Sequence, residues 1–193
     1  MFRRLFMLTL GGLAAKTLVA ADRAAAASFW SALKAGGYII LIRHAVTEPG
    51  IGDPPGFKAG DCTTQRNLSA KGRSDAQVIG QAFKAREIPV RKVLSSRWCR
   101  CIDTAQLAFG RVEPAAMLDS VFDRPETVRT EKVNAVLAYA AGGIGPGNLV
   151  FVTHAQNIQA LTGVSPSPGE LVVVALESPK TLKVVGRLEV QGI

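Results

Sequence analysis

The run Tyr38–Ile42 is continuously apolar and rich in β-branched residues, which predicts a strand buried on both faces of a parallel sheet. It ends at Arg43-His44. From Glu48 to Asp61 glycines and prolines recur throughout, so a loop is expected over the end of that strand. A helical period takes over from Ser69 to Arg86. Ser69 can cap this helix, Ala76, Ile79, Gly80 and Phe83 recur along one face, and Ile88-Pro89 stops it. Val90–Ser95 predicts a second short strand and Trp98–Phe109 a second helix. A third, shorter strand is expected over Ala115–Asp119. A helix follows over Thr127–Ala141, with Val133, Val136, Leu137 and Ala140 on one face. Gly142–Gly147 predicts a turn, and Asn148–Val152 a fourth strand that ends at Thr153-His154. Leu171–Leu176 and Leu182–Val190 predict two more strands.

Strands alternating with helices imply a Rossmann-like three-layer α/β sandwich, a mainly parallel sheet with helices on both faces. The chain of 193 residues suits one such domain. In these sheets ligands bind beyond the carboxyl ends of the strands. The chain has 2 histidines, and both follow directly on a buried strand, at that edge. One histidine there would be an ordinary loop residue; two at equivalent strand ends point to a site. The glycine-rich turn at 142–147 precedes a strand instead of following one, so it does not read as a phosphate-cradling loop.

The N-terminus changes the picture of where the domain works. Met1-Phe2-Arg3-Arg4 is a positive start, Leu5–Ala15 a short apolar stretch, and Ala24–Ala27 a small-residue cleavage zone. These features predict an export signal over residues 1–27, a mature domain over 28–193, and a periplasmic or secreted destination. Lys16 interrupts the apolar stretch short of the ~20 residues a spanning helix needs, so no stable membrane span is expected in the mature chain. Of the formal charge of +8, residues 1–27 contribute 4 − 1 = +3, leaving 8 − 3 = +5. That excess suits an anionic partner. No lysine/arginine run or basic helix face accompanies it, so a small or envelope-associated phosphorylated substrate is expected and nucleic acid is not. The cysteines are Cys62, Cys99 and Cys101. An oxidising compartment permits one pair to bridge; three reduced thiols are the alternative. Cys99-x-Cys101 is too tight for a zinc knuckle and neither histidine lies near a cysteine in sequence, so no metal is expected.

Four segments occur in order: Leu41-Ile42-Arg43-His44-Ala45-Val46-Thr47, Asn67-Leu68-Ser69-Ala70-Lys71-Gly72, Ser95 to Ala105 with Arg100 and Thr104 inside it, and Val150-Phe151-Val152-Thr153-His154. Together they resemble the histidine phosphatase (phosphoglycerate mutase-like) superfamily. The matching features are a strand ending in Arg-His-Gly-x-Thr, a Leu-Ser-x-x-Gly helix entry, a Ser-x-x-x-Arg-x-x-x-Thr-Ala segment and a strand carrying a second histidine. The resemblance covers most of residues 38–163. It implies a phosphatase without metal or cofactor, in which His44 attacks phosphorus and Arg43, Arg100 and His154 surround the phosphoryl group. Thr47 can add a hydroxyl donor. Arg66 could reach the substrate or pair with Asp61, and Arg97 reads as a rim or surface cation. The chemistry supports these roles. Transfer puts charge on three phosphoryl oxygens, guanidinium forks match that charge, and nearby cations help to keep an attacking imidazole unprotonated.

Three departures bear on function. Ala45 stands where the family commonly has glycine. Ala155 follows the second histidine, where the acid-phosphatase branch carries the aspartate that protonates the leaving oxygen. The segment between the histidines offers Asp119, Asp123 and Glu126 without a recognisable motif; Asp119 and Glu170 are the leading candidates for a general acid. Without a strong acid, phosphoanhydrides, acyl phosphates or phosphohistidine are favoured substrates. The alternative is a protein that binds phosphate or a phospho-ligand in the same pocket without turnover. A redox role for Cys99 and Cys101 is a lesser rival, because the resemblance places Cys62 and Cys99 near one site and makes them the expected bridge.

Overall fold

The computed structural model describes residues 27–190. The expected export signal lies, but for its last residue, outside them. Helix α1 (residues 27–35) leads into strand β1 (Ile39–Arg43). Then come α2 (Ala70–Ala85), β2 (Val90–Ser95), α3 (Cys99–Phe109), β3 (Glu113–Pro114), α4 (Glu126–Ala141), β4 (Asn148–Thr153), α5 (Ala155–Thr162), β5 (Leu171–Ser178) and β6 (Thr181–Leu188). The strands form one sheet in the order β3-β2-β4-β1-β5-β6. Pairs β1–β4, β2–β4 and β2–β3 are parallel; β5 runs antiparallel to both β1 and β6. The fold is the expected α/β sandwich with a mostly parallel sheet.

Alternation along the central strands splits the core in two. Ile40 and Ile42 of β1 and Val150 and Val152 of β4 pack with Leu33, Ile79, Phe83 and Ala105, from α1, α2 and α3. Ile39, Leu41, Leu149 and Phe151 face the other way, onto Val136, Ala140 and Ile158 of α4 and α5. Every residue of β4 is buried, as its unbroken apolar run predicts.

Four elements depart from the sequence pattern. The strand expected over Ala115–Asp119 is displaced: only Glu113–Pro114 pair with β2, and Ala116–Leu118 form a 3-10 turn. Pro114 has no N–H to extend a ladder, which confines this strand to the sheet edge. Helix α5 was not expected; it has 8 residues, of which Asn157 and Ile158 are buried, too few to show a period. Helix α1 was also not expected; it begins at the last residue of the expected signal and runs through the start of the expected mature domain. In α4 only Val136 and Ala140 of the predicted face are buried, because the helix covers the sheet at a shallow, half-exposed contact.

Candidate active site

Strands β1 and β4 are parallel neighbours in register, Arg43 opposite Thr153, so the residue after each emerges at the same edge. His44 and His154 therefore lie side by side, ring centroids 5.4 Å apart, and both are buried. The His44 backbone N–H donates to the Thr153 carbonyl at 2.9 Å, fixing this turn to β4. The Nδ1 of His44 lies 2.9 Å from the Ala45 carbonyl. A carbonyl only accepts, so Nδ1 carries the hydrogen and Nε2 keeps its lone pair. Burial pushes the His44 pKa down to about 3; the Ala45 bond opposes this, and Arg100, Arg43 and Arg66 add to it. His154 lies well below its ordinary value for the same reasons, burial first and then His44 and the arginines. Its Nδ1 is 3.5 Å from Nη2 of Arg100, which only donates, so Nε2 carries the proton and donates to Ser96 Oγ at 2.9 Å.

Three arginines meet at these histidines. Arg43 closes β1 and donates from Nη1 to the Pro166 carbonyl at 2.9 Å. Arg100, in the first turn of α3, is buried and grips Asp53 through Nη1 at 2.6 Å and Nη2 at 3.3 Å. Arg66, in the loop before α2, donates from Nη1 to the Gly50 carbonyl. Among the described residues five buried side-chain polar atoms lack a partner, and three of them are Nε of Arg43, Arg66 and Arg100. All three arginines line one cavity of about 560 Å³ together with His44 and His154. A buried donor left unpaired costs about 1–3 kcal/mol, and three such donors fall on the arginines that line this cavity.

Asp53 is a member that the sequence did not disclose. It accepts from Arg100, from Trp98 Nε1 at 2.8 Å and from the Arg66 backbone N–H at 3.1 Å. Burial alone would raise its carboxyl, but the bonds from Arg100, Trp98 and Arg66 outweigh it and hold Asp53 below its ordinary value. The loop that carries Asp53 is fastened to α3. Cys62 and Cys99 form the expected disulfide, with Cα atoms 5.7 Å apart, and the Cys99 N–H donates to Gln65 Oε1 at 3.0 Å. Cys101 is free and fully buried, and burial pushes its thiol up to about 12. With Cys99 engaged elsewhere and Cys101 sealed, a Cys99–Cys101 redox pair is ruled out.

Other expected residues stand apart from the cavity. Thr47 forms an isolated bridge with Leu68 and is not among the lining residues. Asp119 accepts from the backbone N–H of Arg97 at 3.0 Å and from its Nε at 2.9 Å. Glu170 accepts from Arg187 Nε at 2.6 Å and from the Ser167 N–H at 2.7 Å. Neither carboxylate lines the cavity; the two that do are Asp53 and Asp123. The Arg66–Asp61 pair does not form, because Asp61 caps the 3-10 turn Cys62–Thr64 and accepts from Thr63 instead. Among the described residues no three His, Cys, Asp or Glu side chains are grouped to hold a metal ion, and no helix is long and apolar enough to cross a membrane.

Residues 39–121 match the family model of the histidine phosphatase superfamily (branch 1). Solved structures share the fold. The protein histidine phosphatase SixA, complexed with tungstate, superposes with a TM-score of 0.55 at 12% identity over 79% of this chain and 97% of its own. Phosphoserine phosphatase from Entamoeba histolytica, in complex with 3-phosphoglyceric acid, gives 0.57 at 15% identity over 78% and 95%. No curated protein matches the chain.

Proposed function

Because residues 39–121 match the family model of the histidine phosphatase superfamily (branch 1), we propose that this chain is a phosphatase that hydrolyses a phosphomonoester or phosphoanhydride through a phosphohistidine on His44. The observation that carries this reading is that Arg43, Arg66 and Arg100 line one cavity with a neutral histidine whose Nδ1 is engaged by the Ala45 carbonyl, which leaves its Nε2 lone pair free. In the first step Nε2 forms a bond to phosphorus while the bond to the leaving oxygen breaks, its electron pair leaving with that oxygen. The ring gains positive charge, which the Ala45 carbonyl stabilises through Nδ1–H. The arginines meet the charge on the phosphoryl oxygens. Water then attacks phosphorus, the N–P bond breaks, its electrons return to Nε2, and inorganic phosphate departs with the surplus proton released to solvent. The cationic stabilisation comes from guanidiniums, so no step calls for a metal. His154, neutral beside His44, shapes the pocket without adding charge.

Asp53, the carboxylate nearest the arginines, is held ionised by four donor groups and is not poised to give up a proton. The reading therefore favours phosphoanhydrides, acyl phosphates and phosphohistidine over alkyl esters. The same observation favours one rival, a phosphate-binding protein without turnover. We also place the mature domain outside the cytoplasm; a structural disulfide supports this, since cytosolic thiols are kept reduced.

The test is phosphate release from aryl, sugar, nucleotide and anhydride phosphates, with EDTA present, beside His44→Ala. Turnover lost in the variant, with acid-stable label absent and base-stable label present on His44 of the wild type, is expected. Turnover that survives in His44→Ala would sink the mechanism. No turnover on any substrate, with phosphate still raising the melting temperature, would favour the binding protein.

A further inference from the structure

The cavity has two unlike halves. Its deep half holds His44, His154 and Arg100, each at most 5% exposed. Its outer half carries a group of apolar side chains. Phe57 packs at a tilt on the buried Trp98 with ring centroids 5.4 Å apart, Trp98 in turn lies against His154, and Ile51 and Phe122 stand at the mouth. Ile51 is 89% exposed and Phe122 44%; with Val185 they are the exposed large hydrophobic residues among those described. Two of the three thus sit on the rim of the same cavity. Their loops also meet: a Cβ added to Gly52 would lie 3.5 Å from the Phe122 ring. An apolar pair left in water beside a binding cavity marks an interaction surface.

In-line transfer sets which half takes which part of the ligand. The nucleophile is at the deep end, so the leaving oxygen must point away from it, toward the mouth. We propose that Ile51, Phe57, Trp98 and Phe122 receive the organic part of the ligand, so that the phosphoryl group this protein takes is carried on an apolar acyl or aryl body. Ser120, Asp123, Arg124 and Gln156 also line the cavity, and of these Asp123 and Arg124 are exposed. The inference rests on the phosphatase reading only for what becomes of the phosphoryl group; the division of the cavity requires no turnover.

Phosphonates test it, because they bind without being hydrolysed. Calorimetric titration of the wild type should show hexylphosphonate binding about tenfold or more tighter than methylphosphonate, the scale expected for several methylenes entering an apolar pocket. In Ile51→Ser/Phe122→Ser that advantage should fall below about threefold. Ile51→Ser alone, at a largely exposed position, guards against a folding defect and should lower the ratio part of the way. An advantage under twofold in the wild type, an advantage unchanged in the double variant, or binding of neither compound would overturn the proposal. Release of phosphate from para-nitrophenyl phosphate, measured in parallel, decides the phosphatase reading separately. Turnover with no hexyl advantage removes this inference alone, and a hexyl advantage without turnover removes only the phosphatase.

Discussion

A free histidine is half protonated near pH 6.5, a state that would cost His44 its attacking lone pair. In this cavity burial and three guanidiniums bring His44 down to about 3. The chain has 2 histidines, so proton NMR can follow both without ambiguity. Neither imidazole should titrate between pH 5 and 8 in the folded protein; a midpoint near 6.5 for His44 would contradict the geometry. Stability has a definite sign here. As pH falls from about 6.5 toward 3 the unfolded chain binds a proton at His44 that the folded chain refuses, so unfolding becomes easier with acidification over that window. Denaturant titrations at pH 7 and pH 5, compared with His44→Gln, check it: the wild type should lose more stability than the variant. At this scale the site was partly legible. Arg43, His44, Arg100 and His154 follow buried strands or a recognisable segment. Asp53 lies in a loop without period, and its role depends on Arg100, 47 residues away. Asp119 and Glu170 were attractive as carboxylates near strand ends, but side chains 22 and 17 residues distant, Arg97 and Arg187, capture them, and sequence spacing does not show such pairs.

Between elements, the β1–α2 loop and helix α2 hold the site together. The disulfide closes a sequence separation of 37 residues and ties the Asp53 loop to the residue before Arg100. By chain entropy a loop of this size is worth about 3–4 kcal/mol. Reduction, or Cys62→Ser, should lower the melting temperature by roughly 10 °C and weaken phosphate binding; a melting curve unmoved by reductant would show that the crosslink constrains nothing. Helix α2 makes two close approaches that only glycine permits. A Cβ on Gly72 would lie 1.9 Å from the Val46 carbonyl oxygen, and one on Gly80 would lie 2.0 Å from that of Ala108. Val46 belongs to the turn that carries His44, and its carbonyl also accepts from Ser69 N at 3.0 Å; Ala108 lies in α3, far from the cavity. Both alanine variants should lose about 1–3 kcal/mol from overpacking. Only Gly72→Ala should also cut turnover, by about 100-fold if His44 moves by ~1 Å. Equal turnover losses in the two variants would detach the α2 start from His44. The helix entry was readable from Ser69, which accepts from Gly72 N–H as a capping residue should. The reason for glycine at 72 was not, because it is a contact across elements.

The whole molecule adds a field to the local site. The chain carries a formal +8, and the part beyond the expected signal still carries 8 − 3 = +5. The parallel half of the sheet gathers β1, β4, α3 and the loop before α2 so that Arg43, Arg66 and Arg100 bring their share of that charge to one cavity. The two scales separate by salt. Raising ionic strength from about 10 mM to about 150 mM shortens the screening length from roughly 30 Å to roughly 8 Å, which removes long-range attraction but leaves contacts inside the cavity little changed. A phosphate dianion approaching through solvent feels the first, and one already bound feels the second. The association rate should therefore fall about threefold or more over this range, while the dissociation rate changes little. The protein supplies its own probe, since Trp98 lines the cavity and the other tryptophan, Trp30, packs on Phe83 away from it. Stopped-flow tryptophan fluorescence with inorganic phosphate measures both rates. A salt effect confined to dissociation would mean that the net charge serves solubility alone and that capture depends on the three guanidiniums only after contact.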